Sequence, residues 1–414
     1  MRSASGLAVR VTVLVTPLLI GALAVPSGGL FRGAKFRDIH LYRQYGDSLL
    51  DGSLPYRDVF VEYPPGAIPL FALPSLAPGG WYDPLFKALM ALCCVAAIFC
   101  VALVLARRGA TPAHVAAAGL FLAICPIALG PVSLNTYDAW PALLTVAALA
   151  ALAYRRGMLA GGLLAAAFAA KLYPLVLLPL ALLHLGRAVA ARAAAAFLAV
   201  TALLVVPWVV VSPRGVWDSL DAQLGRGLHA ESLASSVLLA ADRIGVYDAH
   251  VVRRLHPAAT RDLAGGLPDA LGYATAVLAV LAVLAVWFAY ARRRELAVAF
   301  AAAVAGALAF AKVLSPQYLV WLIPLVPFGG GLAAALLVAA LALAQGWYFH
   351  YRDLWTIGWP VWPLLARNLV LVALYGLLLW KTSTPSRWNT SFQSGFRRRR
   401  TSAAAAGSGA DRSA

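Results

Sequence analysis

The stretch Met158–His184, M-L-A-G-G-L-L-A-A-A-F-A-A-K-L-Y-P-L-V-L-L-P-L-A-L-L-H, decides how the rest of the chain is threaded. Its apolar character suggests one long helix, yet Lys171-Leu172-Tyr173-Pro174 interrupts it. Proline removes a backbone donor and disfavours helix at the residue before it. The run is therefore expected to split into two short helices whose shared apex carries Lys171.

Around this stretch the chain is mostly Ala, Leu and Val. Its 414 residues are 62% hydrophobic and 12% charged, with a mean hydropathy of +0.79. Soluble domains run at about half apolar and about a quarter charged, so the expected fold class is an all-α polytopic membrane protein. A net charge of +17 does not point to nucleic acid here. The Arg residues fall in short clusters between apolar runs, the pattern of basic loops kept on the cytoplasmic side. Cys93, Cys94, Cys100 and Cys125 lie inside apolar runs and read as small core residues with no metal-ligand spacing.

Apolar runs of about 20 residues mark helices that cross a hydrocarbon core of roughly 30 Å. The first candidates lie near 9–26, 84–106, 112–130 and 138–154. The first exceeds the usual signal-peptide core of about 7–15 residues, which favours an uncleaved helix. With the N-terminus inside, Arg2, Arg10, Arg107, Arg108, Arg155 and Arg156 are all cytoplasmic, and segment 27–83 faces outward. A single helix over Met158–His184 would then place Arg187, Arg192, Arg292, Arg293 and Arg294 outside; splitting it at Lys171 restores them to the inside. The device recurs further on. A helix near 295–311 ends at Lys312, followed by V-L-S-P-Q-Y, a short apolar piece Leu319–Phe328, a turn at Gly329–Gly331 and a helix to about Trp347. A last span near 361–380 brings the total to about twelve, with both termini cytoplasmic. The membrane domain is thus 1–380, with external loops 27–83 and 212–270 and shorter outward pieces at 131–138 and 348–360. The tail 381–414, with Arg397–Arg400, reads as basic, cytoplasmic and disordered.

The outward segment after the first span is dense in Asp, Arg, Tyr and Glu, unlike the rest of the chain. Lys171 and Lys312 approach the same face from within the membrane, where a charge is costly and marks a functional site by default. In order stand D-I-x-L-Y (Asp38–Tyr42), L-x-x-G-x-x-P-Y-x-D (Leu49–Asp58), E-Y-P-P (Glu62–Pro65), K-L-Y-P (Lys171–Pro174), R-G-L-H-A-E-S (Arg226–Ser232) and S-P-Q-Y-L-x-W-L-x-P (Ser315–Pro324). Together they resemble the polyprenyl-phosphate-mannose-dependent mannosyltransferases of actinobacteria, GT-C-fold membrane enzymes of the glycosyltransferase 87 type. The resemblance implies a GT-C-type bundle in the bacterial plasma membrane, with short interfacial helices in the first external loop. It implies an inverting transfer of a sugar, most readily mannose, from a polyprenyl-phosphate carrier to a glycolipid or lipoglycan hydroxyl. It places the family's catalytic base at Asp38. No cofactor is expected.

Such a displacement needs one carboxylate to take the acceptor's proton, and positive charge to neutralise the departing phosphate. Lys171, Lys312 and Arg226 are the candidates for that charge. Substrate contacts are expected from Tyr42, Arg57, Asp58, Glu62, Tyr63, Tyr173, His229, Glu231, Ser232, Gln317, Tyr318 and His350. Plainer roles compete with these. Asp38 can cap an interfacial helix over Asp38–Leu50, Glu62 can pair with Arg57 and stiffen the loop, Lys171 can snorkel to the interface, and His350 can belong to an aromatic belt. Asp47, Asp51 and Asp58 fit solvated turns. A metal is not expected, because Arg32, Lys35, Arg37 and Arg57 leave the first loop basic. A transporter or flippase of lipid-linked sugars is the alternative function, since broken helices with intramembrane charges also describe transporters. Against it, the charges crowd one face and no inverted repeat is evident.

Overall fold

The computed structural model describes residues 2–26, 38–254, 260–293 and 295–384. Arg32, Lys35, Arg37, Arg294 and the tail with Arg397–Arg400 lie outside the described residues. The chain begins with helices α1 (Arg2–Val25), α2 (Asp38–Leu50), α3 (Ile68–Ser75), α4 (Tyr82–Arg107), α5 (Pro112–Leu129) and α6 (Val132–Asn135). It continues with α7 (Ala139–Ala153), α8 (Gly157–Ala170), α9 (Leu178–His184), α10 (Arg187–Val211) and α11 (Pro213–Leu224). Strand β1 (Leu228–His229), helix α12 (Leu233–Arg243) and strands β2 (Val251–Arg254) and β3 (Thr260–Leu263) follow. Helices α13 (Gly266–Arg293), α14 (Leu296–Ala309), α15 (Gly331–Tyr348), α16 (Tyr351–Thr356) and α17 (Val361–Ser383) complete it.

Among the described residues, seven helices are long and apolar enough to cross a membrane: α1, α4, α5, α10, α13, α15 and α17. Four shorter apolar segments, α7, α8, Tyr173–His184 and α14, pack among them. Helix α14 is buried almost all round, as expected of a helix that is apolar on every face. The expected break at Lys171 is present. Helix α8 stops at Ala170, Lys171 is extended (φ −156°, ψ 137°), and a 3-10 turn over Tyr173–Leu177 leads into α9. The second break differs in detail from the expectation. Pro316–Trp321 and Val326–Gly329 are 3-10 turns, because Pro316, Pro324 and Pro327 deny the apolar piece Leu319–Phe328 a continuous α-helical ladder.

Helix is not the whole fold. The segment between α11 and α13 holds a small antiparallel sheet in the order β1-β3-β2, with Leu228 opposite Leu263 and Val251 also opposite Leu263. Leu228 and Leu263 rest on a satellite core with Leu238, Leu239, Trp347, Leu354, Val361 and Leu364. This ties the loop to the ends of α15 and α17. At the opposite end of the bundle, the basic cluster after α4 meets the start of α14 through an Arg108–Glu295 ion pair. There too Lys381 of α17 donates to the Gly329 carbonyl.

Candidate active site

Asp38 opens α2, whose position is set by close packing. Any Cβ at Gly46 would collide with the Phe71 carbonyl oxygen, so only glycine lets α2 lie directly on α3. Tyr42, one turn beyond Asp38 and therefore on the same helix face, is fully buried. Its ring stacks on Phe71 (centroids 4.5 Å, planes 3° apart) and meets Tyr137 edge-on at 5.6 Å. Burial of Tyr42 thus turns Asp38 toward the bundle.

The loop that follows is fixed just as tightly. A Cβ on Gly66 would lie 2.6 Å from the Ala169 carbonyl carbon, so the E-Y-P-P-G turn sits against the last turn of α8. Tyr56 donates its hydroxyl to the Tyr63 carbonyl at 2.6 Å. Gln223 of α11 donates to the Glu62 carbonyl at 2.7 Å. The Glu62 side chain is buried and pairs with Arg226 at 3.7 Å. The expected Glu62–Arg57 pairing is corrected by this: Arg57 instead binds its neighbour Asp58 at 2.8 Å on the surface.

Lys171 occupies a cage. Its ammonium lies 4.6 Å from the Tyr137 ring centroid, 5.1 Å from Tyr318, and 5.6 Å from both Tyr63 and Trp321. Such contacts are worth about 0.5–2 kcal/mol each, more when desolvated. The charge is met by Asp138, whose Oδ1 is 3.2 Å from Nζ and also accepts Trp321 Nε1–H at 2.7 Å. Trp321 is itself sandwiched between Tyr173 (4.1 Å) and Tyr318 (4.6 Å). Tyr173 is anchored by Thr145 Oγ1 at 2.8 Å and the Pro141 carbonyl at 3.1 Å. Ring, cation and carboxylate therefore lock the proline-broken apex to α7 and to the S-P-Q-Y turn.

Asp38 is within electrostatic reach of Glu62, Asp138 and Lys171. Glu62 and Asp138 already have cations of their own, Arg226 and Lys171. Among the described residues, no cation is within ion-pair distance of Asp38, and its carboxylate accepts no backbone N–H of α2, as a helix cap would. Burial first, then the charges of Glu62 and Asp138, push the Asp38 carboxyl up from its ordinary 3.8 to about 7; Lys171 offsets part of the rise. A proton affinity near neutrality suits a general base. By linkage the folded chain holds this proton more tightly than the unfolded one, so ionising Asp38 costs fold stability as the pH rises from about 4 to about 7.

The other expected residues divide by location. Lys312 is more open: its Nζ donates to the Leu224 carbonyl at 2.7 Å, next to the Arg226 turn, and its own carbonyl accepts the His229 N–H at 2.9 Å. Glu231 is buried, Ser232 caps α12 through Ser235 N, and Gln317 accepts from Ser315 at 2.9 Å. His350 is exposed, bonded to Asp353 at 2.9 Å and edge-on to Trp359 at 4.7 Å. Arg57 and Asp58 are likewise at the surface. Asp138 and Tyr137 are central here and were not singled out by the sequence; Trp321 stands in the S-P-Q-Y-L-x-W-L-x-P motif but was given no role. Among the described residues, no group of three or more His, Cys, Asp or Glu is arranged to hold a metal ion. A cavity of about 580 Å³ lies at the other end of the bundle, lined by Arg108, Glu295, Phe328, Trp380 and Lys381 among others, and takes no part in this site.

The family model for glycosyltransferase family 87 matches residues 60–316, more than half of the chain, and the chain belongs to that family. It is a glycosyltransferase. The matched residues include Glu62, Asp138, Lys171, Arg226 and Lys312; Asp38 precedes them. No curated protein matches the chain.

Proposed function

We propose that this glycosyltransferase moves a sugar, mannose by resemblance, from a polyprenyl-phosphate carrier to a glycolipid or lipoglycan hydroxyl at the outer face of the plasma membrane. Asp38 acts as the base. The observation that carries this reading is that, among the described residues, Asp38 has no cation of its own: a partly buried carboxyl beside two carboxylates that each have one. A carboxylate oxygen of Asp38 takes the acceptor's hydroxyl proton as the hydroxyl oxygen bonds to the anomeric carbon. The bond from that carbon to the phosphate oxygen breaks on the opposite face, with inversion, and the electron pair leaves on the polyprenyl phosphate. Arg226 and Lys312, adjacent through the Leu224 carbonyl, are the cations best placed to meet that phosphate. Lys171 contributes long-range positive charge while holding the apex to Asp138.

The test is Asp38→Asn in purified membranes given labelled polyprenyl-phosphate mannose and a lipid extract as acceptor. Glucosyl and arabinosyl donors run in parallel. The expected result is a variant that inserts normally and transfers about 10²–10⁴-fold more slowly. Transfer at the wild-type rate removes Asp38 as base, and a preference for another donor removes mannose.

A further inference from the structure

The end of the bundle away from Asp38 holds a cavity that the transfer chemistry above does not use. It measures about 580 Å³ and lies where the ends of α4 and α17 meet the starts of α5 and α14 and the turn Val326–Gly329. That is within the roughly 300–1,000 Å³ of small-ligand pockets. Its walls are largely apolar, with Leu105, Val298, Phe328 and Trp380 among them. Trp380, 59% exposed, carries that apolar wall out to the surface. Two cations, Arg108 and Lys381, stand in the same lining. Arg108 Nη2 meets Glu295, and Lys381 Nζ donates to the Gly329 carbonyl. A guanidinium has five N–H donors and an ammonium three, so both keep donors for a ligand.

Charge selects the sign of that ligand. Arg107–Arg108, Arg155–Arg156 and Arg292–Arg293 all lie at helix ends on this side of the bundle, and the Arg107 guanidinium is 5.8 Å from the Tyr154 ring centroid. Among the described residues of 105–114, 154–157, 184–192, 292–298 and 380–384, Glu295 is the only acid. Such a field attracts an anion. The chain's own segment 385–414 has the wrong sign, with Arg397–Arg400 against Asp411 alone. The walls then select the ligand's other half. Covering apolar surface is worth about 25 cal/mol per Å², which a soluble anion cannot gain and a hydrocarbon chain can. Basic pockets between membrane helices take anionic lipid head groups by this combination. A head group held by both cations would also bridge α4 to α17.

We propose that this cavity binds one anionic glycerophospholipid of the adjoining leaflet, its phosphate on Arg108 and Lys381 and its chains along Val298, Phe328 and Trp380. The site is separate from Asp38 and from the sugar donor and acceptor, so its test needs no transfer reaction. Full-length protein, stripped of lipid in detergent, is titrated with phosphatidylglycerol, with phosphatidylcholine of the same chains, and with inorganic phosphate. Intact-complex mass spectrometry counts the retained lipid while the unfolding midpoint is followed. Expected is one retained phosphatidylglycerol and a raised midpoint, with neither effect from phosphatidylcholine or inorganic phosphate. Lys381→Gln should weaken the Kd for phosphatidylglycerol about tenfold, the scale of one charge-assisted contact. Ala110→Trp fills the cavity without changing its charge and should abolish the retained lipid. Lys381 also holds the Gly329 carbonyl; should its loss prevent folding, Ala110→Trp alone decides. Equal retention of phosphatidylcholine would overturn the proposal, as would phosphatidylglycerol binding unchanged in either variant. The same midpoint shift with inorganic phosphate would show a site for a free anion and overturn it too.

Discussion

At Lys171 the chain leaves α8 and its ammonium enters a cage of four rings closed by Asp138. At Lys312 it leaves α14 by a similar proline-broken route, yet the ammonium stays open to solvent and rests on the Leu224 carbonyl. The two sequences, K-L-Y-P and K-V-L-S-P, look like repeats of one device. The difference lies in what other elements bring. The turn before α7 supplies Tyr137 and Asp138 to the first lysine, whereas α11 offers the second only a backbone carbonyl. The buried Lys171, its charge met by Asp138, holds structure together; the more open Lys312 is available to a ligand.

Breaking the buried lysine should have the largest effect. Lys171→Met leaves Asp138 an uncompensated buried charge, a loss of about 3–5 kcal/mol in comparable pairs. A steep drop in unfolding midpoint and loss of transfer are expected. Adding Asp138→Asn should recover part of the midpoint; no recovery would mean that the pair is not what holds the apex. Lys312→Gln sharpens the contrast from the other side. Its midpoint should stay at the wild-type value while KM for the lipid-linked donor rises about tenfold, the loss of one charge-assisted contact. If Lys312→Gln melts like Lys171→Met, the distinction between the two lysines fails. The smallest effect belongs to the surface pair: Arg57→Ala with Asp58→Ala should change neither the midpoint nor the transfer rate in the same assay, as expected of exposed ion pairs.

Much of this was legible in the sequence where composition or proline chemistry spoke. The split at Lys171 and the helix Asp38–Leu50 follow from local rules. What was missed depended on distance along the chain. Glu62 was paired with nearby Arg57, but its partner is Arg226, brought in by α11. Asp138 stands in a short turn with no pattern around it, and only the folded bundle sets it beside Lys171. The 3-10 turns of Pro316–Gly329 reflect three prolines whose combined effect on an apolar run has no clear periodicity. Arg367, fully buried, was within reach: a charge inside the apolar run V-W-P-L-L-A-R-N-L-V of α17 is the same signal that marked Lys171.

The central claim is that Asp38 works as a base with a proton affinity near neutrality. Its most direct test is the pH dependence of single-turnover transfer at saturating donor and acceptor, in wild type and Asp38→Asn. Only ionised Asp38 can accept the proton, and burial raises its carboxyl to about 7. The wild-type rate should therefore climb about tenfold per pH unit below that value and level off above it, while the residual rate of the variant lacks this limb. A wild-type rate that stays flat from about pH 5 to about pH 8, or a variant that keeps the same limb, would contradict the account.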